Sequence, residues 1–190
     1  MELREFCRRL PKVELHVHLL GAIRLDTLAE MAGRQGAGYT PEEVADLARR
    51  DAKPKGVLHI LRALEQRILR GPEDLHRIAY EYLEDAAAQG VRHAEVFWNP
   101  TGTARDSGIA YAAGADAILA AFDDAKHDHG TSALLIPSID REATPEEAAE
   151  MPRDKVMLIV TGSQGERRAA SAQLSRGRYL GIQLREGDSF

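Results

Sequence analysis

The stretch "VELHVHLLGA", residues 13–22, decides how the rest of the chain reads. With Lys12 before it, apolar and polar side chains alternate with a period of two, the pattern of a β-strand. Val13, Leu15, Val17 and Leu19 are expected on one face and Glu14, His16 and His18 on the other, with Gly21 closing the strand. Two imidazoles on one strand face could hold zinc, whose bonds to ring nitrogens are about 2.0–2.1 Å; the alternative is two hydrogen-bonded histidines on a polar face. In a parallel barrel that face points inward. The pair then lies near the C-terminal end of its strand, where barrel active sites are built.

Around this strand the chain alternates helix and strand. Residues 2–10 make a short amphipathic helix with Leu3, Phe6, Cys7 and Leu10 on one face, ended by Pro11. "RLDTLAEMAGRQG" (24–36) is helical to Gly36, and Thr40-Pro41-Glu42-Glu43 is a helix start with Thr40 as cap. "VLHILRALEQRIL" (57–69) is a helix stopped by Gly71-Pro72, and 73–90 is another, ending at Gly90. "VRHAEVFWNP" (91–100) is the second strand, 109–129 a long Ala-rich helix and "SALLIPSID" (132–140) the third strand. Thr144-Pro145-Glu146-Glu147 starts a short helix to about Met151, "KVMLIV" (155–160) is a fourth strand, and "YLGIQL" (179–184) is a candidate fifth. Such alternation argues for parallel α/β architecture, with right-handed crossovers placing the helices outside.

Composition narrows the class. At 190 residues the chain is one ordinary domain or part of a larger one. It lacks the roughly 18 consecutive apolar residues of a membrane span, and its first residues lack the apolar core of a signal peptide. A cytoplasmic protein is therefore expected, with no membrane partner. The single cysteine, Cys7, excludes an internal disulfide and a Cys-based zinc site, and is read as a small apolar helix residue. The net charge of -5 makes a nucleic-acid partner unexpected. The charge is uneven, however. Residues 1–152 carry -8 and residues 153–190 carry +3, which suggests a boundary near 152.

"PKVELHVHLLGAIRLDTLAEMA" (11–32) resembles the opening strand and helix of the adenosine deaminase family, which belongs to the amidohydrolase-type metal-dependent barrels. The likeness continues through "AYEYLEDAAAQGVRHAEVFWNP" (79–100) and "IPSIDREATPEEAAEM" (136–151), so it covers roughly residues 1–151. The resemblance implies part of a TIM-type barrel, about half, with four to five parallel strands alternating with helices. It implies zinc as cofactor, with His16 and His18 as two of its ligands. It also implies hydrolytic deamination of a purine nucleoside or base: zinc activates a water for attack on the amine-bearing carbon, and a carboxylic acid protonates the ring.

The family builds its site from four regions, and only the H-x-H strand is matched here. His59, His76, His93, His127 and His129 fall in segments unlike the family's later His motifs, and "HAE" at 93–95 has the wrong spacing for its His-Ala-x-Glu segment. No residue is therefore assigned as catalytic. Leu20 stands where the family has an acidic residue that binds substrate. Glu14, Glu95 and Asp140, on or at the ends of expected strands, are read as polar strand residues rather than as further ligands.

From residue 152 the text changes. The strand followed by "TGSQGE" (161–166) and a helix over 167–177 resembles the ribonuclease J group of metallo-β-lactamase-type nucleases. Backbone N–H groups around Gly162, Ser163, Gln164 and Gly165 are candidate phosphate donors, with Arg167, Arg168, Arg176 and Arg178 adding charge. The alternative is a tight βα turn with a solvated basic helix, since Glu166 opposes an anion there. The chain is thus expected as a fusion of a deaminase-like part (1–151) and a nuclease-like segment (152–190). Three functions stay open: a zinc deaminase, an RNA- or phosphate-binding tail, and a fragment without independent activity. Its open sheet edges are expected to favour self-association.

Overall fold

The computed structural model describes residues 2–34, 38–47, 61–138, 169–179 and 182–186. Three strands, β1 (Lys12–His18), β2 (Val91–Trp98) and β3 (Ser132–Pro137), form a parallel sheet in the order β1-β2-β3. Helices α1 (Leu3–Arg9), α2 (Leu25–Ala32), α3 (Pro41–Leu47), α4 (Pro72–Ala88), α5 (Pro100–Ser107) and α6 (Tyr111–His129) surround it, and a short α7 (Ala170–Leu174) follows. Sequential, parallel strand order with intervening helices is the arc of a β/α barrel. The expected helix at 144–151, the strand at 155–160 and the 161–166 turn lie outside the described residues. In the candidate fifth strand, Tyr179 and Ile182 pair with each other in an isolated antiparallel bridge.

β2, the central strand, organises the core. Ala94, Val96 and Trp98 are buried against the helices, while His93, Glu95 and Phe97 are half-buried on the opposite face. That period-two split follows from pleating. The helix side of the sheet meets Leu75, Ile78, Leu83 and Ile118 from α4 and α6. Trp98 is the largest fully buried side chain. Its indole N–H donates to Thr103 Oγ1 at 3.0 Å, and its ring stacks on Tyr111 with centroids 5.8 Å apart. A buried indole needs such a partner.

Helix boundaries follow local chemistry. α4 starts with Pro72 in its first turn, followed by Glu73 and Asp74, which complement the dipole. α3 opens with a reciprocal capping box: Glu43 N–H donates to Thr40 Oγ1 (3.2 Å) and Thr40 N–H to the Glu43 carboxylate (2.8 Å). The second strand stops at Trp98 instead of Pro100, because Asn99 caps α5, its side-chain oxygen accepting from Gly102 N–H. α5 ends at Gly108 and α6 at Gly130, both at φ 73°, the left-handed stop that glycine provides. The helix expected over 57–69 has a π-helical turn at Leu64–Ile68. This turn buries Glu65, whose carboxylate lies 3.4 Å from the Thr103 hydroxyl.

Gly114 on α6 lies against the Trp98 ring: a Cβ there would sit 2.7 Å from the indole. Gly114→Ala gains about 1 kcal/mol of helix propensity. Crowding a ring that has nowhere to go costs about 1–3 kcal/mol. The net expectation is a loss of stability of about 1 kcal/mol, read as a lower urea midpoint with unchanged m-value.

Candidate functional site

β1 carries the two histidines and departs from strict alternation. Its register with β2 shifts twice: Lys12↔Val91 is followed by Val13↔His93, one residue advanced on β1 against two on β2, and Glu14↔Ala94 by Val17↔Val96, three residues advanced on β1 against two on β2. One extra residue is a β-bulge, which re-aims the side chains around it. Glu14 therefore leaves the histidine face. Its carboxylate accepts from the Tyr82 hydroxyl of α4 at 2.9 Å, on the helix side of the sheet. Burial, and then this bond to Glu14, push the Tyr82 phenol well above its ordinary pKa. The expected grouping of Glu14 with His16 and His18 is corrected by that register step.

Beyond the bulge the two imidazoles meet over β2. His16 stacks on Phe97 with centroids 4.4 Å apart and planes at 24°, and His18 lies 5.9 Å from the same ring. The His16 and His18 Nε2 atoms are 3.4 Å apart, with the rings edge-on at 61°. Two nitrogens held tetrahedrally at zinc-ligand distance are about 3.3–3.4 Å from each other. Partial desolvation holds the His18 pKa below the ordinary histidine value, and neighbouring His16 adds to this. Both effects favour the neutral ring that a metal requires. The donor set thus fits two positions of a zinc shell. Among the described residues, no group of three or more His, Cys, Asp or Glu is arranged to hold a metal.

The other candidates are placed elsewhere. His93 bonds through Nδ1 to the Ser132 hydroxyl at 2.8 Å. His76 pairs with Asp124 at 3.0 Å, and His129 lies 3.2 Å from the Tyr80 hydroxyl and 3.9 Å from Glu84. His127 is exposed at the end of α6. Glu95 sits half-buried on the histidine face, opposite Leu134 of β3. Leu20 is buried in the core on the 3-10 turn after β1, 4% exposed, where an acidic side chain would be costly. His59, Asp140, Gly162, Ser163, Gln164, Gly165, Arg167 and Arg168 lie outside the described residues, whereas Arg176 and Arg178 are exposed after α7. Phe97, the shelf under both imidazoles, was missed from sequence. Its signal was the alternation of "VRHAEVFW" (91–98), which sets Phe97 on the face away from the apolar helices.

A parallel β/α arc with paired imidazoles on the side of the sheet away from the helices defines the class: an amidohydrolase-type α/β barrel architecture, partial here. The chain belongs to the adenosine deaminase family, whose model matches residues 11–159. Residues 130–190 also match the model of the ribonuclease J β-CASP domain. An adenine deaminase of Bordetella avium is 32% identical over 157 residues, covering 82% of this chain and 49% of that protein. An adenine deaminase of Streptomyces coelicolor is 34% identical over 142 residues, covering 73% and 41%. A solved amidohydrolase of Burkholderia ambifaria, with bound zinc, is 55% identical with a TM-score of 0.74, over 80% of this chain and 44% of that one. The chain spans about half the length of the relatives it matches.

Because the bulge sends Glu14 to the helix side, Glu14→Gln is expected to leave metal binding at the histidines unchanged. The same substitution removes the negative charge beside Tyr82, so its phenol should ionise at lower pH than in the parent chain. Zinc titration and ultraviolet absorbance titration of the tyrosines check the two halves of this expectation.

Proposed function

We propose that this chain carries the first metal-binding strand of a zinc-dependent purine deaminase, with His16 and His18 as two ligands. The observation that carries the reading is the 3.4 Å separation of their Nε2 atoms, the spacing of two ligands on one zinc ion. Membership of the adenosine deaminase family, adenine deaminases among the relatives and a zinc-bound amidohydrolase among the similar structures support it. Bound zinc would supply an activated water for attack on the amine-bearing carbon of adenine or its nucleoside. The residues of this chain orient that position. Phe97 holds the His16 ring by stacking, and partial desolvation lowers the His18 pKa, which favours its neutral form. Residues 1–151 are the deaminase-like part, and the 190-residue chain is proposed not to turn over alone, since among the described residues no third His, Cys, Asp or Glu joins the histidine pair in a metal-holding group. A reducing cytoplasm is the proposed compartment, in keeping with the free, exposed Cys7.

The test is zinc binding to the metal-free chain by competition with a chromophoric chelator. Binding is expected in the parent and should fall at least tenfold, about 1.4 kcal/mol, in both His16→Ala and His18→Ala with circular dichroism unchanged. Equal binding in all three chains would remove the histidines from the reading. The zinc-loaded chain is expected to release no ammonia from adenine or adenosine. Release that disappears in His18→Ala would show a complete site instead.

A second reading rests on the ribonuclease J match over residues 130–190, which overlaps the basic tail. There the tail binds phosphate or RNA through residues 162–165, and Arg176 and Arg178 are exposed after α7. Filter binding of a single-stranded RNA should then weaken steeply with salt and with Arg167→Ala plus Arg168→Ala. No retention at low salt would end this reading.

A further inference from the structure

Glu65 and Asp74 are the buried carboxylates among the described residues. Asp74 is held by Arg34 and the Arg70 backbone N–H. Glu65 has a different setting. The π-helical turn Leu64–Ile68 sets it against the first turn of α5, just past the C-terminal end of β2, the end at which β/α barrels build their sites. A Cβ on Gly102 would sit 2.7 Å from the Glu65 carboxylate, so the carboxylate fills the space a side chain would take. The next residue, Thr103, has its hydroxyl 3.4 Å from that carboxylate and accepts the Trp98 indole N–H at 3.0 Å. Trp98 is also fixed through its carbonyl, which accepts from Ser138 N–H at 2.7 Å. Phe97 precedes Trp98 on the strand, so the two rings stand on opposite faces, joined by one peptide. Phe97 in turn carries the His16 ring, 4.4 Å away between centroids.

We propose that Glu65 is a positioning residue of the histidine pair: by holding the first turn of α5 against Trp98 it fixes the end of β2, and with it the Phe97 ring on which His16 rests. The inference rests on the reading of the pair as zinc ligands. Burying a carboxylate is costly. α5 has its cap without Glu65, because the Asn99 side chain already accepts from Gly102 N–H. What Glu65 adds is a tie between the π-turn and the connection that follows β2. A close-packed interior passes displacements on, so a tilt of the indole is a tilt of the Phe97 shelf. With the shelf fixed, the two Nε2 atoms stand 3.4 Å apart before a metal arrives. With it loose, zinc has to order the His16 ring as it binds, and affinity falls by that ordering cost.

The experiment compares Glu65→Ala, Gly102→Ala and Ala120→Gly with the parent 190-residue chain. Zinc affinity is read by competition with a chromophoric chelator, and the His16 ring by proton NMR of the metal-free chain. Gly102→Ala keeps the charge and pushes the carboxylate aside. Ala120→Gly, on the exposed side of α6, lowers stability through helix propensity alone. In Glu65→Ala and in Gly102→Ala, zinc affinity should fall about threefold or more, less than for a group bonded directly to a ligand. The His16 ring signals, shielded by Phe97 in the parent, should move toward those of a free histidine. Ala120→Gly should change neither. Gly102→Ala added to Glu65→Ala should cost nothing further, since its methyl then enters space the carboxylate has left. Parent-like affinity and ring signals in Glu65→Ala overturn the proposal and leave Glu65 a residue of stability alone. Where Glu65→Ala does not fold, Gly102→Ala decides in the same way, because its methyl displaces only the end of a flexible side chain. A parent chain that binds no zinc overturns the zinc reading, and the ring signals, which need no metal, then decide whether Glu65 positions His16.

Discussion

The register step of β1 against β2 between Glu14 and Val17 is the constraint on which the site depends. Without it, Glu14 would share a face with His16 and His18 and leave the Tyr82 hydroxyl facing apolar core. A buried phenol without a partner is costly. With it, the carboxylate satisfies Tyr82 from the strand while Val17 still pairs with Val96 and His18 with Phe97. The step separates two jobs on seven residues: the first half of the strand fastens the sheet to α4, and the second half presents imidazoles. The strand carries the carboxylate that holds Tyr82 and the paired imidazoles side by side because its register against β2 shifts between them.

The helical layer shows how polar groups close the same architecture from outside. Asp74 is 1% exposed at the start of α4, yet it accepts from Arg34 at 2.6 Å and from the Arg70 backbone N–H at 2.8 Å. A carboxylate so buried is tolerable only because it is paired and hydrogen-bonded. It ties the segment after α2 to the first turn of α4. Arg24 bridges to Glu84 and Asp85, and Arg77 to Glu30 and Glu81, so α2 is clasped to α4 by charge as well as by Leu28 and Met31. These pairs are partly exposed, and each contributes little by itself. Their effect is to set which faces of the two helices meet, and thereby where the turn after β1 emerges beside the histidines.

Much of this was legible in residues. The strand at 12–18, the Gly71-Pro72 stop, the Thr40 capping box and the Ala-rich helix to His129 each have a local chemical cause, and each appears where its cause lies. The bulge was not legible, because period-two hydropathy reads the same on either side of an inserted residue; only the pairing with β2 reveals it. α5 was missed for a different reason. Asn99-Pro100 followed by Gly108 is a helix cap, first turn and stop, but the apolar run before it reads as strand through Pro100. The exposure of Leu3, Phe6 and Leu10 was equally hidden, since an amphipathic helix announces a face to be covered without naming what covers it.

The histidine pair can be reached from opposite sides by two demands. Catalysis needs an open coordination position and a water held there, so a deaminase site must keep part of its metal shell unfilled by protein. An exposed two-histidine edge flanked by apolar side chains invites the opposite outcome, since any surface that presents two more nitrogens closes the shell. Which outcome prevails depends on what occupies the face carrying Phe97. In a closed barrel, the strands that complete the circle cover that face and hold the remaining ligands apart from one another. The chemistry of the pair is therefore decided less by the two rings, whose spacing suits zinc in either case, than by the backbone that stands across from them.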